Sequence, residues 1–257
     1  MKEFNKIIIG ASCWSAGQVL QGETGCLLID RHASIGHEYF ETFRECAGMT
    51  APLTTSPARK LQNELAACGK PGDPLLLAPL LYAELHNLTG QFRLWTEITG
   101  IRRETDGWLL SICDVEGVHS LFARELIDCT PECVSQPEFG RGNIVECRLN
   151  TIILAPDFHE WADSGFDFRK GRTDDEFILS LKLEPETGWA DARRLLLDRW
   201  RKRPADLDNA RICVIGGAFE YRVRRNSAEL GENYHYFNSA MFANPLAAID
   251  HKGGAAC

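Results

Sequence analysis

Two short apolar segments with little polar alternation open the chain, at residues 6–10 (KIIIG) and 25–30 (GCLLID). Runs of Ile and Leu of this length are typical of parallel strands that are buried on both faces. Residues 11–24 lie between them, which leaves room for a helix of only about two to three turns. The pattern therefore predicts a strand–helix–strand unit with a short crossover helix.

Two helices are predicted next, within 56–69 and 73–90. Ser56 and Asp73 are the expected N-caps, and each is followed by a proline, which is favoured at the first helical position. Pro79 lies inside the second segment and predicts that the helix is disturbed or kinked there, because proline removes a backbone donor and clashes with the preceding turn.

The period then changes from helical spacing to alternation, which predicts a β-meander over 92–130 with turns at TDG and EG. Further strands are predicted at 143–155 and 176–185, followed by a basic amphipathic helix that ends before Pro204. A strand ending on a glycine pair and a last helix complete the chain. The predicted fold is α/β: a Rossmann-like domain of residues 1–131 and 205–257, with an inserted β-rich substrate or interaction region at 132–204.

Composition and charge narrow the class of protein. The chain has 257 residues and a formal net charge of −8, which argues against nucleic acid as a partner. No apolar stretch approaches the ~20 residues of a membrane span, and no secretory signal is recognised. The ten cysteines are therefore expected to be reduced thiols in a cytoplasmic protein. The run CTPEC has the wrong spacing for a zinc site, so no metal is predicted.

The first turn has the chemistry of a phosphate-binding loop. A tight turn before a helix presents free N–H groups and the positive end of the helix dipole. Gly10 fits the first glycine of a dinucleotide motif, and Asp30 fits the acidic residue that binds ribose. Ser12 and Ser15 replace the other two glycines, and Gly17 comes too late to restore the spacing. Taken alone, the motif is compatible with nucleotide binding and with a βαβ unit that binds none.

A set of segments in order adds to this motif. DPLLLAPLLYAEL, LWTEITGIRRETDGWLLSI, FARELIDCTPE and ICVIGGAFEYR follow the N-terminal unit. In this order the chain resembles FAD-dependent oxidoreductases of the two-dinucleotide-binding-domain type, over about 1–45, 73–131 and 205–250. The resemblance implies a Rossmann-like FAD-binding domain, FAD as cofactor and a small-molecule substrate.

The resemblance also implies roles for residues at matching positions. The turn from Gly10 to Ser15 would hold the diphosphate, Asp30 and its neighbour Arg31 would hold the adenosine ribose, and Ile98 would present its backbone to the adenine. The implied cofactor-binding set is Gly10, Ala11, Ser12, Cys13, Trp14, Ser15, Asp30, Arg31, Gly36, His37, Ile98, Thr130, Gly216, Gly217 and Ala218. His37 and Pro131 stand where the family has glycines, so four family glycines are altered.

These departures leave three alternatives open. The first is an FAD-dependent oxidoreductase with a modified diphosphate site, acting as a homo-oligomer or completed by a partner subunit. The second is a cofactor-free homologue that serves as a subunit or scaffold. The third is an NAD(P)-linked oxidoreductase that uses the first turn alone.

Catalytic residues are predicted from position only. Tyr234 and His235, just before the last helix, fall where members of the family approach the flavin ring. The alternative is that this aromatic cluster packs the domain junction. His159 and Trp161 are further candidates for lining a substrate pocket.

Overall fold

The computed structural model describes residues 2–156 and 165–252, and its first elements form the predicted strand–helix–strand unit. These are β1 (Lys2–Ile9), α1 (Cys13–Leu20) and β2 (Cys26–Ile29). β1 and β2 pair in parallel, and their central residues are buried on both faces. The apolar runs therefore form parallel strands, as predicted.

The remaining elements follow in chain order. The helices are α2 (His37–Phe40), α3 (Ser56–Ala67), α4 (Leu77–Leu85), α5 (Pro137–Asn143), α6 (Trp189–Trp200) and α7 (Pro245–Asp250). The strands are β3 (Phe92–Arg93), β4 (Glu97–Glu104), β5 (Gly107–Asp114), β6 (Gly117–Asp128), β7 (Ile144–Leu154), β8 (Phe166–Lys170), β9 (Glu176–Leu183), β10 (Arg211–Ile215), β11 (Glu220–Val223), β12 (Ser227–Gly231) and β13 (Tyr234–Phe237).

The first sheet has the order β12-β13-β6-β1-β2-β3. In addition, β5 pairs with the first half of β6, and β4 pairs with β5. The five strands from β13 to β3 run parallel, as in a Rossmann-like sheet. One apolar core lies between this sheet and helices α1, α3, α4 and α7, and a second lies on the side of the meander. The carboxyl ends of β1, β2 and β6 therefore meet at one edge.

The second sheet is antiparallel and has the order β10-β7-β9-β8, with β11 also paired to β7. Helix α6 packs on it and contributes to its apolar core. This sheet extends past residue 204, where the sequence placed the end of the inserted region. The difference arises because β10 and β11 pair with β7, and strand pairing across about 60 to 80 residues leaves no local signal.

Two predicted helix features differ in detail. Thr55 rather than Ser56 is the N-cap of α3, because the Asp250 carboxylate accepts from the Thr54 and Thr55 N–H groups at this point. The segment predicted as one helix is divided into a 3-10 turn and α4, and the division lies before Pro79 rather than at it. A 3-10 turn precedes α4, so Pro79 lies in the first turn of α4, where a missing N–H breaks no helical hydrogen bond.

Candidate functional site

Two adjoining cavities lie at the edge where the parallel strands β1, β2 and β6 end. Open α/β sheets bind ligands in the crevice outside these carboxyl ends. The smaller cavity has a volume of about 130 Å³, and its wall includes Gly10, Asp30, Ile98 and Thr130. Four residues of the implied cofactor-binding set thus lie around one space, although they are far apart in the chain.

The larger cavity has a volume of about 470 Å³ and lies towards the second sheet. Its wall includes Arg31, His37, Gly217 and Ala218 from the predicted set. Arg31 also lines the smaller cavity, so the two spaces share a border. Sequence reasoning had not connected the second glycine pair with the neighbourhood of His37.

The first turn has the backbone geometry expected of a phosphate-binding loop. Gly10 has φ +103°, and a Cβ there would come within 2.9 Å of the Cys129 Sγ and 3.1 Å of the Thr130 Cγ2. Both the left-handed conformation and the close approach of β6 therefore require glycine at this position.

Ser12 and Ser15 close the start of α1 with a capping box. The Ser12 Oγ accepts from the Ser15 N–H at 3.1 Å, and the Ser15 Oγ accepts from the Ser12 N–H at 2.8 Å. The Ser15 hydroxyl also donates to the Gly10 carbonyl at 2.9 Å. The two hydroxyls that replace family glycines thus satisfy the backbone of the turn itself.

Carboxyl groups of the chain accept from two more N–H groups of this turn, those of Ala11 and Cys13. The Ala11 N–H donates to Asp30 Oδ2 at 2.7 Å, and the Cys13 N–H donates to Glu38 Oε1 at 2.8 Å. Glu38 is a residue that the sequence analysis missed. An anionic oxygen at a helix N-terminus is favourable, so Glu38 stands where a diphosphate oxygen would be expected.

Glu38 is almost fully buried, at 3% exposure. Burial raises the pKa of its carboxyl to about 7, although the Cys13 N–H lowers it. Its second oxygen, Oε2, is buried and has no hydrogen-bond partner. A buried unpaired oxygen is costly, and Glu38 is one of the residues that line the larger cavity.

Asp30 is hydrogen-bonded to His32 as well as to the turn, and it lies beside His37. Its Oδ1 accepts from the His32 N–H at 2.8 Å and lies 2.9 Å from His32 Nδ1, while its Oδ2 lies 3.7 Å from His37 Nδ1. Burial opposes ionisation of Asp30, but the hydrogen bond from His32 and the nearby imidazoles outweigh it and lower its pKa. Burial lowers the pKa of His37.

The two glycine segments lie close to the same cavity. Gly36 has φ +75° and donates its N–H to the Ala11 carbonyl at 2.7 Å. Gly217 donates to the Glu41 carbonyl at 3.0 Å, and a Cβ on Gly216 would come within 2.9 Å of that carbonyl oxygen. The β10–β11 connection therefore packs directly on the segment after β2.

The predicted catalytic pair lies elsewhere. Tyr234 is fully buried, its hydroxyl donates to Ser135 Oγ at 2.5 Å, and its ring packs on Trp108. His235 lies on β13 beside β6. Neither residue is in the described walls of the two cavities. Their catalytic role stays a prediction, and their placement fits the packing alternative.

Two other sets of predicted residues remain. Trp14 is buried in the helical core, where its ring packs on Phe237 with centroids 4.6 Å apart. His159 and Trp161 lie outside the residues that the structure describes.

Comparison with solved structures shows what this architecture is similar to. The structure from studies of oxidation by BexE in BE-7585A biosynthesis aligns over 96% of this chain with a TM-score of 0.60 and 15% identity. The anhydrotetracycline hydroxylase of Streptomyces rimosus aligns over 91% of this chain with a TM-score of 0.56 and 13% identity. The p-nitrophenol 4-monooxygenase of Pseudomonas putida aligns over 92% of this chain with a TM-score of 0.51 and 13% identity. The chain has the fold of FAD-dependent oxidoreductases.

The match to this flavoprotein fold confirms the fold expected from the resemblance. A rebeccamycin biosynthetic enzyme with the same fold holds reduced flavin. The chain spans 72% of the p-nitrophenol 4-monooxygenase and 60% of BexE. No protein-family model and no curated protein sequence matches the chain. Among the described residues of this chain, no helix has the length and apolar character needed to cross a membrane.

Proposed function

We propose that this protein binds FAD at the carboxyl edge of its parallel sheet and acts as an oxidoreductase on a small organic substrate. The observation that supports this proposal most is the pair of adjoining cavities. They lie outside the carboxyl ends of the parallel strands, where open α/β sheets bind ligands, and their walls contain eight residues of the set predicted from the sequence.

The adenosine end of FAD would lie in the smaller cavity. Asp30 would accept from a ribose hydroxyl, and the backbone of Ile98 would face the adenine. The Asp30 carboxylate already binds His32 and Ala11, and its side chain is 1% exposed. His32 would therefore have to turn away from Asp30 to give a ribose access.

The diphosphate would bind the N–H groups at the start of α1. The chemistry of these donors fits an anion, because each already donates to a carboxyl oxygen. The present arrangement does not admit a diphosphate, since Glu38 accepts from the Cys13 N–H. The fit therefore requires Glu38 to leave the turn.

The flavin ring would extend into the larger cavity, towards Gly217 and Ala218. When bound, FAD supplies the capacity to accept a hydride. The protein would orient the substrate between the second sheet and the segment after β2.

The hydrogen bonds that side chains of the protein itself make to this turn favour a second candidate function. Glu38, Asp30, Ser12 and Ser15 satisfy the N–H groups that FAD would use. A turn completed in this way is stable without a nucleotide. The second candidate is therefore a cofactor-free homologue that serves as a subunit or scaffold.

Titration with FAD, followed by its visible absorption and fluorescence, separates these functions. Replacing Glu38 by Ala frees the Cys13 N–H and removes the carboxyl group that blocks it, so we expect FAD to bind about tenfold more tightly than to the wild type. Replacing Asp30 by Ala should weaken binding by about 1–3 kcal/mol, because the ribose loses its acceptor.

The control is Glu104→Gln, which removes a carboxylate on the exposed part of the meander and should leave FAD affinity unchanged. If neither the wild type nor the folded Glu38→Ala variant binds FAD, the flavin proposal is wrong and the cofactor-free alternative is supported. Binding of NADH or NADPH in its place would support the nicotinamide alternative.

A further inference from the structure

Three potential ligand groups meet at the border of the larger cavity. The carboxylate of Asp30 and one ring nitrogen each of His32 and His37 lie within 4.8 Å of one another. Oδ1 of Asp30 is 2.9 Å from His32 Nδ1, and its Oδ2 is 3.7 Å from His37 Nδ1. Tetrahedral coordination with bonds of about 2.0–2.2 Å places ligand atoms about 3.3–3.6 Å apart. The observed separations lie on either side of this range.

An independent observation at the same place indicates a missing partner. His37 is 5% exposed, and its Nδ1, the atom that faces Asp30, is buried without a hydrogen-bond partner. Native proteins pair nearly all such atoms. A metal ion between His37 and Asp30 would give this nitrogen a partner.

The residues around the cluster are already fixed. The Ala11 N–H donates to Asp30 Oδ2, and such outer contacts orient metal-binding carboxylates. The Ile35 N–H donates to the Tyr82 hydroxyl, and Gly36 is bonded to the Ala11 carbonyl. The segment that carries His32 and His37 is therefore held by hydrogen bonds at Ile35 and Gly36 before any ion binds.

The electrostatics of the cavity favour a cation. Its wall includes the carboxylates of Glu38, Glu97 and Glu132, and the nearby Arg31 is ion-paired with Glu132 at 2.5 Å. A concave surface dominated by one sign of charge raises the local concentration of the opposite ion. The cavity also gives an ion a route to the cluster, since His32 and His37 both line it.

The type of ligand decides the class of metal. Two imidazoles and one carboxylate suit zinc and other first-row transition metals, whereas magnesium and calcium prefer oxygen ligands. Three protein ligands beside an open cavity leave a coordination position for water or an exogenous ligand. We infer that Asp30, His32 and His37 form a binding site for a divalent transition-metal ion. This inference does not depend on the flavin proposal.

Zn²⁺ added to chelator-treated protein and followed by calorimetry tests the site. The wild type should bind one Zn²⁺ more tightly than any other, and Mg²⁺ should not compete. His37→Ala and His32→Ala should each weaken Zn²⁺ binding about tenfold or more, because each removes a ligand. Co²⁺ should give visible absorption bands that these variants lose.

A second cluster provides the matched control. Asp114, Glu116 and His119 have a similar composition but lie on the meander, where Glu116 is exposed and His119 is partly exposed. His119→Ala should leave the tight Zn²⁺ site intact. If His119→Ala abolishes that site, or if folded His37→Ala and His32→Ala bind Zn²⁺ as the wild type does, the inference is wrong.

The zinc and FAD titrations are performed separately, since both ligands would engage Asp30. Zinc binding without FAD binding would sustain this inference and refute the flavin proposal. FAD binding without zinc binding would refute this inference and support the flavin proposal.

Discussion

Replacing Gly17 by Ala is expected to lower the free energy of unfolding by about 2–3 kcal/mol. Gly17 lies in α1, where that helix packs on α7. A Cβ at this position would come within 2.5 Å of the Ile249 carbonyl oxygen and 2.7 Å of its Cα. Both are backbone atoms, so the clash can be relieved only by moving one helix away from the other. The measurement is chemical denaturation of both proteins under the same conditions.

Gly142→Ala is the matched control for Gly17→Ala. Gly142 also lies in a helix, α5, and a Cβ there would have no neighbour within 4 Å. Alanine is preferred to glycine in a helix by about 0.5–1 kcal/mol, so this variant should be as stable as the wild type or slightly more stable. Equal destabilisation by both substitutions would contradict the close helix contact.

Replacing Asp128 by Ala is expected to lower the free energy of unfolding by about 2–4 kcal/mol. Asp128 is fully buried at the end of β6. Its carboxylate accepts from the Thr130 N–H and hydroxyl at 2.8 and 2.6 Å, and from the Ser135 N–H at 2.8 Å. These donors would lose their partner, and the segment that borders both cavities would lose its anchor.

The effect of Asp128 should depend on pH. Burial raises the pKa of this carboxyl, although hydrogen bonds from Ser135 and Thr130 lower it. A carboxyl with a higher pKa in the folded state than in the unfolded state contributes most below the unfolded pKa, near 3.8, and less as the pH rises through the folded pKa. The difference between the wild type and Asp128→Ala should therefore shrink as pH rises.

Asp106→Ala serves as the control for the Asp128 measurement. Asp106 is exposed in the turn between β4 and β5, and such surface changes usually alter stability by less than about 0.5 kcal/mol. A loss of stability for Asp128→Ala that is no larger than for Asp106→Ala would show that the buried carboxylate does not hold the segment.

The arrangement around the first turn shows where sequence reasoning ends. Gly10 and Asp30 could be placed because strand, turn and acidic residue have a fixed spacing in a βαβ unit. Glu38 could not, since its hydrogen bond with the Cys13 N–H joins residues 25 positions apart, and α1, β2 and a loop lie between them. The spacing of Asp30, His32 and His37 is visible in the sequence, but a short run of this kind does not show that the side chains converge.

Gly17 illustrates the same division. The local pattern shows only that Gly17 comes too late in the chain to restore the spacing of the glycine motif. Only the folded chain brings Ile249 against α1, so the reason for glycine at this position lies more than 230 residues away in sequence.

The sequence by itself determined the parallel βαβ start, the meander and most helix positions, because these depend on local periodicity, capping and turn chemistry. Tertiary structure alone decided that β10 and β11 belong to the second sheet. It also decided that carboxyl groups of the chain accept hydrogen bonds from the Ala11 and Cys13 N–H groups at the start of α1. It also decided that two histidines face the Asp30 carboxylate. The physical reason is that such contacts form between surfaces brought together by packing of distant segments, and short-range patterns of apolar and polar residues do not encode them.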